Sequence, residues 1–244
     1  MTIPNADCAM VAPERSLGTR NVARSTETNM IRSQGTIVTM GSPDEGRIVE
    51  VCELLVRSFR DLSPTWVPTV DAARAKVVEA LEQGMLSRVL LIDDRVVGWV
   101  GARHDYGSVW ELHPLVVDEA MRGRGYGRAL VNDVECLAAG NGALTMMLGT
   151  SDEVGRTTLS GQDLFLDVMT ALRDLKATGG HPLGFWQRVG YTVVGVVPDA
   201  EGPGKPTILL AKRIRIDQSS SLRQSQAASQ SPQPASPMRE SGSN

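Results

Sequence analysis

The chain has 244 residues, 41% of them hydrophobic and 22% charged, enough to bury a substantial core as one large domain or two small ones. A net charge of -3 at pH 7 and a sequence pI of about 5.7 speak against a nucleic-acid binder, whose surface carries clustered basic charge. Three cysteines far apart in sequence, Cys8, Cys52 and Cys136, exclude a disulfide scaffold and offer no metal-ligand spacing, and no apolar run approaches the roughly 20 residues of a membrane span. A reducing, cytoplasmic setting follows, with neither metal nor membrane as partner.

Residues 1–34 are polar and aperiodic and read as a disordered extension. Residues 217–244 are rich in Ser, Gln and Pro, hold no aromatic or β-branched side chain, and read as a disordered tail. One domain over 35–216 remains. It opens with a short strand, 36–40, and a helix over 42–59 in which Ser42 is the expected N-cap, followed by Pro43 and an acidic first turn. A second helix spans 69–82, capped by Thr69 and stopped before Gly84. Two β runs over 88–102 flank Asp93-Asp94, a hairpin signal, and a third long strand covers 108–117. A helix over 126–139 stops at Gly140-Asn141-Gly142, and a strand over 143–150 follows. Helices over 162–176 and 182–190 and strands over 191–197 and 207–214 complete the domain. This order predicts an α/β fold, a mixed central sheet with helices on both faces. Single buried roles suit Trp99, as core, and Cys136, as an inert thiol in mid-helix.

Between the third long strand and the helix after it lies Arg122-Gly123-Arg124-Gly125-Tyr126-Gly127-Arg128. Glycines there allow positive φ and let a ligand approach the backbone. The N–H groups of such a turn and of the helix start attract an anion, and arginines add charge-assisted bonds to phosphate. A basic turn with helix-capping glycines is the plainer reading of the same residues. No Lys-Ser or Lys-Thr follows, so this is not a Walker A loop, and the glycine spacing does not fit the dinucleotide fingerprint.

The six residues Arg122–Gly127 match R/Q-x-x-G-x-G/A, and the stretch resembles the coenzyme A loop of the GNAT superfamily of N-acetyltransferases. The blocks WELHPLVV (110–117), LGTSDE (148–153), TTLS (157–160), HPLGFWQRVGY (181–191) and VVGVVPDAEGPGKPTILLAK (193–212) are similar to one branch, the chromosomal, homodimeric aminoglycoside 6'-N-acetyltransferases. The resemblance covers about 36–214 and is densest from 108 onward.

That resemblance implies a GNAT fold whose splayed central strands form the acetyl-CoA slot. It implies that the backbone of Leu115, Val116 and Val117 holds the pantetheine arm and that the Leu115 N–H polarises the thioester carbonyl. Arg122, Gly123, Arg124, Gly125, Tyr126, Gly127 and Arg128 would hold the pyrophosphate, with Trp186 beside the cofactor. Pro114 inside the strand is a local sign of irregularity, because proline donates no ladder hydrogen bond. Glu111 and His113 are two apart and share a strand face. By the family motif Glu111 is the candidate general base and His113 its support, both next to the acceptor; without the family, the favoured reading is a paired surface charge at Glu111 and a bulge shaped by His113-Pro114, since alternating polar residues are ordinary on a half-solvated strand. Asp152 and Glu153 end a strand where ligands often sit in α/β sheets and would suit a polycationic sugar, or they cap a following helix. Trp66 suits either the acceptor pocket or surface packing. The sequence departs from the family at Trp186, where a tyrosine is usual. Indole is no acid at neutral pH, so the thiolate's proton comes from water or another group, or the thiolate leaves unassisted. The expected activity is acetyl transfer from acetyl-CoA to a primary amine. The alternatives are a different small-molecule or protein amine, and a non-catalytic coenzyme A-binding module.

Overall fold

A computed structural model describes residues 35–214; both tails expected to be disordered, 1–34 and 217–244, lie outside the described residues. The elements are strand β1 (Thr36–Thr39), helices α1 (Glu45–Phe59) and α2 (Val70–Glu79), strands β2 (Leu86–Ile92), β3 (Arg95–Tyr106) and β4 (Val109–Val117), helix α3 (Tyr126–Gly140), strand β5 (Thr145–Ser151), short helices α4 (Val168–Arg173) and α5 (Leu183–Arg188), and strands β6 (Thr192–Val197) and β7 (Thr207–Arg213). The strands form one seven-stranded sheet in the order β1-β2-β3-β4-β5-β7-β6. Only β4 and β5 pair in parallel; every other neighbouring pair is antiparallel.

Alternation along the strands divides the core between the two faces of the sheet. On one face α1 and α2 bury Leu54, Leu55 and Val77 against Val89, Trp99 and Val116. On the other, Leu130 and Val134 of α3 pack with Leu90, Val100, Met146 and Leu210. Trp99 is fully buried, and its indole N–H donates to Ser87 Oγ at 2.9 Å, so the largest residue of the first face leaves no orphaned donor. A bulge phases the two faces. Leu90 pairs with Gly98 but Leu91 pairs with Val96, leaving Val97 extra, and Val97 joins the α3 face although Trp99 two residues on joins the other.

The predicted elements are present with four corrections. Asp44, not Ser42, occupies the N-cap of α1, because Gly41 and Asp44 close a turn in which the Asp44 carboxylate accepts the Gly41 N–H at 3.0 Å. Thr69 caps α2 as expected, accepting from the Ala72 N–H, but the helix stops at Glu79. The helix expected over 162–176 shrinks to Val168–Arg173. Backbone after it pairs elsewhere instead: Thr158 N–H donates to Lys176 at 3.0 Å and Thr178 N–H donates to Arg156 at 2.7 Å. Cys136, expected to be buried, is exposed on α3. Asp93 and Asp94 do form the hairpin turn without glycine, both at positive φ (50° and 60°) as a twist-matched two-residue turn demands. No described helix is long and apolar enough to cross a membrane.

Candidate active site

The site is made by a fault in the middle of the sheet. Going along β3, Val100 pairs with Leu115 but Ala102 pairs with Leu112, so Gly101 alone faces His113 and Pro114. This is a β-bulge, placed where proline has no N–H for the ladder. Gly101 is required there: a Cβ on it would lie 2.6 Å from the His113 carbonyl oxygen. The bulge changes the phase of the strand. Before it Trp110 and Leu112 face the α3 core; after it Val116 faces the α1 core. Glu111 and His113 are thus turned to the α1–α2 side, and β4 goes on pairing with β3 through Val117.

On its other edge β4 pairs with β5 only through Val109–Glu111 and Thr145–Met147. Leu112–Val117 and Leu148–Ser151 then diverge, and a cleft of about 610 Å³ lies at the divergence. Leu115, Val116 and Val117 form its floor on the β4 side, and Trp66, Glu111 and His113 line it as well.

The α3 N-terminus faces the cleft through Arg122, Gly123, Tyr126 and Gly127. Gly123 and Gly125 hold φ of 75° and 90°, a region that side chains rarely enter. Gly125 is the N-cap, so no side chain caps the first N–H groups of this 15-residue helix, and no acidic residue sits in its first turn. Gly127 lets the Phe185 ring approach to 3.3 Å of where a Cβ would stand. Arg122 Nε donates to the Val117 carbonyl at 3.1 Å, and Arg128 donates to the Arg188 carbonyl at 3.4 Å. Arg122, Arg124 and Arg128 are all exposed, and none has a carboxylate partner among the described residues. Arg124, Gly125 and Arg128 stand beside the cleft rather than in its lining. Uncapped donors, a helix N-terminus and three guanidinium groups that form no ion pair among the described residues suit a pyrophosphate, so these residues fit the anionic end of a coenzyme A thioester.

At the other end Glu111 accepts from Arg103, Nε at 2.8 Å and a second guanidinium nitrogen at 2.7 Å, both on Oε2. Arg103 also reaches Glu79 on α2 at 3.5 Å. His113 meets Trp66 edge-on at 5.2 Å between ring centroids, and Trp66 meets Phe59 at 4.7 Å. The His113 ring opens into the cleft, yet the cleft walls enclose it. That desolvation lowers its pKa from the usual imidazole value, the Glu111 carboxylate working the other way. The shift favours the neutral imidazole beside Glu111.

Asp152 and Glu153 do not line the cleft, and no helix follows them. Asp152 is 1% exposed and spends its carboxylate on the Arg156 N–H at 2.5 Å and the Thr157 hydroxyl at 2.7 Å. Glu153 is 6% exposed and accepts from the Ser63 hydroxyl, the Thr65 hydroxyl at 2.8 Å and the Thr65 N–H at 3.4 Å. Each holds a loop: Asp152 closes the turn after β5, and Glu153 ties that turn to the segment carrying Trp66. Acidic character alone did not reveal that their oxygens were already engaged.

Trp186 lines the cleft and is 7% exposed, packed between Phe185 and Tyr191. Tyr191 is buried outside the cleft lining, and burial together with nearby Glu135 pushes its phenol far above the ordinary range, so it is no proton donor. His181 is buried; it accepts the Leu183 N–H on Nδ1 at 3.1 Å, which assigns the proton to Nε2, donating to the Ser151 carbonyl at 3.2 Å. Desolvation lowers its pKa. His181 thus fastens the start of α5 to the end of β5. Three charged residues of the cleft lining escaped the sequence reading, Arg156, Arg188 and Glu201. Glu201 lies in a block quoted for its similarity, but nothing local distinguishes it from an ordinary hairpin carboxylate.

Residues 48–156 match the sequence model of the family described as Acetyltransferase (GNAT) family. Among solved structures the chain is similar to the aminoglycoside 6'-N-acetyltransferase from Enterococcus faecium, at 32% identity and a TM-score of 0.66, over 74% of this chain and 98% of that one. It is similar at 32% identity and a TM-score of 0.68, over the same shares of 74% and 98%, to an aminoglycoside 6'-N-acetyltransferase complexed with coenzyme A. An aminoglycoside 6'-acetyltransferase type Ii follows at 28% identity and a TM-score of 0.56, again over 74% and 98%. No curated protein matches the chain.

Proposed function

The chain belongs to the GNAT family of acetyltransferases, and from that premise we propose that it acetylates a small-molecule primary amine with acetyl-CoA, the 6'-amine of an aminoglycoside foremost. The observation that carries this reading is the cleft, with uncapped helix donors and arginines at one end and Glu111 beside His113 at the other. The similarity to enzymes acting on aminoglycosides, one of them complexed with coenzyme A, supports the acceptor and the cofactor.

Acetyl-CoA supplies the acetyl group as an activated thioester. Gly123, Gly125, Gly127 and the first turn of α3, with Arg122, Arg124 and Arg128, bind the pyrophosphate, and Tyr126 and Trp186 flank the cofactor. Leu115, Val116 and Val117 align the pantetheine arm along β4, with the Leu115 N–H on the thioester carbonyl. Glu111 takes the proton from the acceptor ammonium, directly or through water, so that the free amine attacks the thioester carbonyl, the C–N bond forms, the C–S bond breaks, and coenzyme A leaves as a thiolate that takes its proton from water. Arg103 holds Glu111 Oε2, which leaves Oε1 for that proton. His113 and Trp66 form the wall beside it. A homodimer belongs to the same reading. β6 is the edge of the sheet and exposes Val194 and Val197, and Phe165, Leu166 and Met169 are exposed as well.

One observation favours a different amine as acceptor: Asp152 and Glu153, the carboxylates expected to receive a polycation, are engaged internally. The test is thiol release from acetyl-CoA with kanamycin or tobramycin, with Glu111→Gln alongside. The expected result is turnover by the wild type and a loss of about 10²–10⁴-fold in the variant, with acetyl-CoA binding retained. Binding of acetyl-CoA without turnover on either drug would move the reading to another amine or to a binding module.

A further inference from the structure

With Asp152 and Glu153 engaged, the carboxylates that line the cleft are Glu111 and Glu201. They differ in partners. Glu111 is paired with Arg103. Glu201 has no cationic partner among the described residues. Arg156 lines the same cleft, but its guanidinium donates to the Asp61 carbonyl at 3.1 Å.

Glu201 is also held in place. It lies on the turn joining β6 to β7, where its N–H donates to the Lys205 carbonyl at 3.0 Å. Asp199, at φ 52°, accepts the Gly204 N–H at 2.7 Å. The turn docks on the loop after β5: Gly161 N–H donates to Gly204 at 2.9 Å, and a Cβ on Gly204 would come within 3.1 Å of the Gly161 backbone. Oε1 of Glu201 accepts from the Ser151 hydroxyl at 2.8 Å and the Thr207 hydroxyl at 3.3 Å. Ser151 ends β5 and Thr207 begins β7, so two strand ends orient one carboxylate oxygen and the other is available for a ligand.

We infer that Glu201 is a specificity residue that receives a second ammonium of the acceptor and so selects amines carrying more than one positive charge over monoamines. A carboxylate pre-oriented by two hydroxyls makes a charge-assisted hydrogen bond at little entropic cost. The inference rests on the acceptor reading above and names the charge class of the substrate.

The experiment compares wild type, Glu201→Gln and Glu201→Lys by calorimetric titration with tobramycin in the presence of coenzyme A, at low and high salt. The same proteins are assayed for acetylation of tobramycin and of a single-amine sugar, 6-amino-6-deoxyglucose. Gln keeps an oxygen for Ser151 and Thr207, so the turn is retained. The expected result is an affinity for tobramycin lowered about fivefold in Glu201→Gln and further in Glu201→Lys, with the difference shrinking at high salt. The acetylation loss falls on KM for tobramycin and is smaller for the monoamine. Equal losses on both acceptors, or unchanged tobramycin affinity while acetylation persists, overturn the inference and leave the proposed function standing. Glu201-dependent binding without acetylation does the reverse. No tobramycin binding by the wild type overturns both.

Discussion

The two ends of the cleft are built by different means. The end proposed for the cofactor is local: a few consecutive residues, Arg122–Arg128, form the turn and open α3, and they offer uncapped main-chain N–H groups beside three arginines. The end proposed for the acceptor is assembled from side chains of separate segments: Phe59 at the end of α1 and Trp66 after it, Glu111 and His113 on β4, Arg156 after β5, and Glu201 before β7. A backbone site needs only that the chain turn correctly, so a short motif announces it. A side-chain site depends on which groups are free after folding, and this is decided by residues far away in sequence.

The bulge of β4 is what separates the two ends, and removing its room should damage both at once. Gly101→Ala places a carbon 2.6 Å from the His113 carbonyl oxygen, and backbone on both strands must shift to relieve it. The expected loss is about 3 kcal/mol of unfolding free energy in urea, at the upper end for overpacking, with coenzyme A affinity and turnover both reduced in the protein that remains folded. A variant as stable as the wild type would mean that the two ends are not coupled through this contact.

How much was legible follows the same division. The turn at Asp93-Asp94, the cap at Thr69 and the irregularity at Pro114 were readable because each depends on residues within a few positions, and the mixed sheet was readable from the order of strands and helices along the chain. The helix predicted over 162–176 is cut short at its end, where the Lys176 carbonyl accepts the Thr158 N–H and Thr178, just beyond, pairs with Arg156, a tertiary choice that propensity does not register. Asp152 and Glu153 were placed at the correct strand end but assigned to the ligand. The partners of Glu153 are Ser63 and Thr65, about ninety residues earlier in the chain, and only the fold brings them together, whereas Asp152 bonds to Arg156 and Thr157 in the turn that follows it. Glu201 was missed for the converse reason: it lacks a cationic partner because no basic side chain among the described residues folds onto it.

The reassignment of Glu153 sharpens the comparison further. If it is structural, Glu153→Gln leaves a buried group poorly matched to the Thr65 N–H and hydroxyl donors, and the protein loses about 2 kcal/mol in chemical denaturation. KM for the acceptor then changes little in the folded fraction. The opposite pattern, unchanged stability with a raised KM for polycationic acceptors, would return Glu153 to the substrate and make the acceptor end more acidic than its lining indicates.

The smallest effect belongs to the arginine most removed from the cleft lining. Arg124 is exposed, makes no ion pair among the described residues, and stands between two glycines whose positive φ values set the turn. An exposed guanidinium contributes through screened attraction, so Arg124→Gln should weaken coenzyme A binding by about threefold at low ionic strength and by almost nothing at high salt. Tobramycin affinity should not move in either condition, because the positive charge lies at the cofactor end. A salt-independent loss would make Arg124 a backbone-shaping residue of the turn instead of a charge. A change in acceptor affinity would show that the two ends of the cleft share one electrostatic field, and the contrast between a local backbone site and a dispersed side-chain site would then describe their construction but not their energetics.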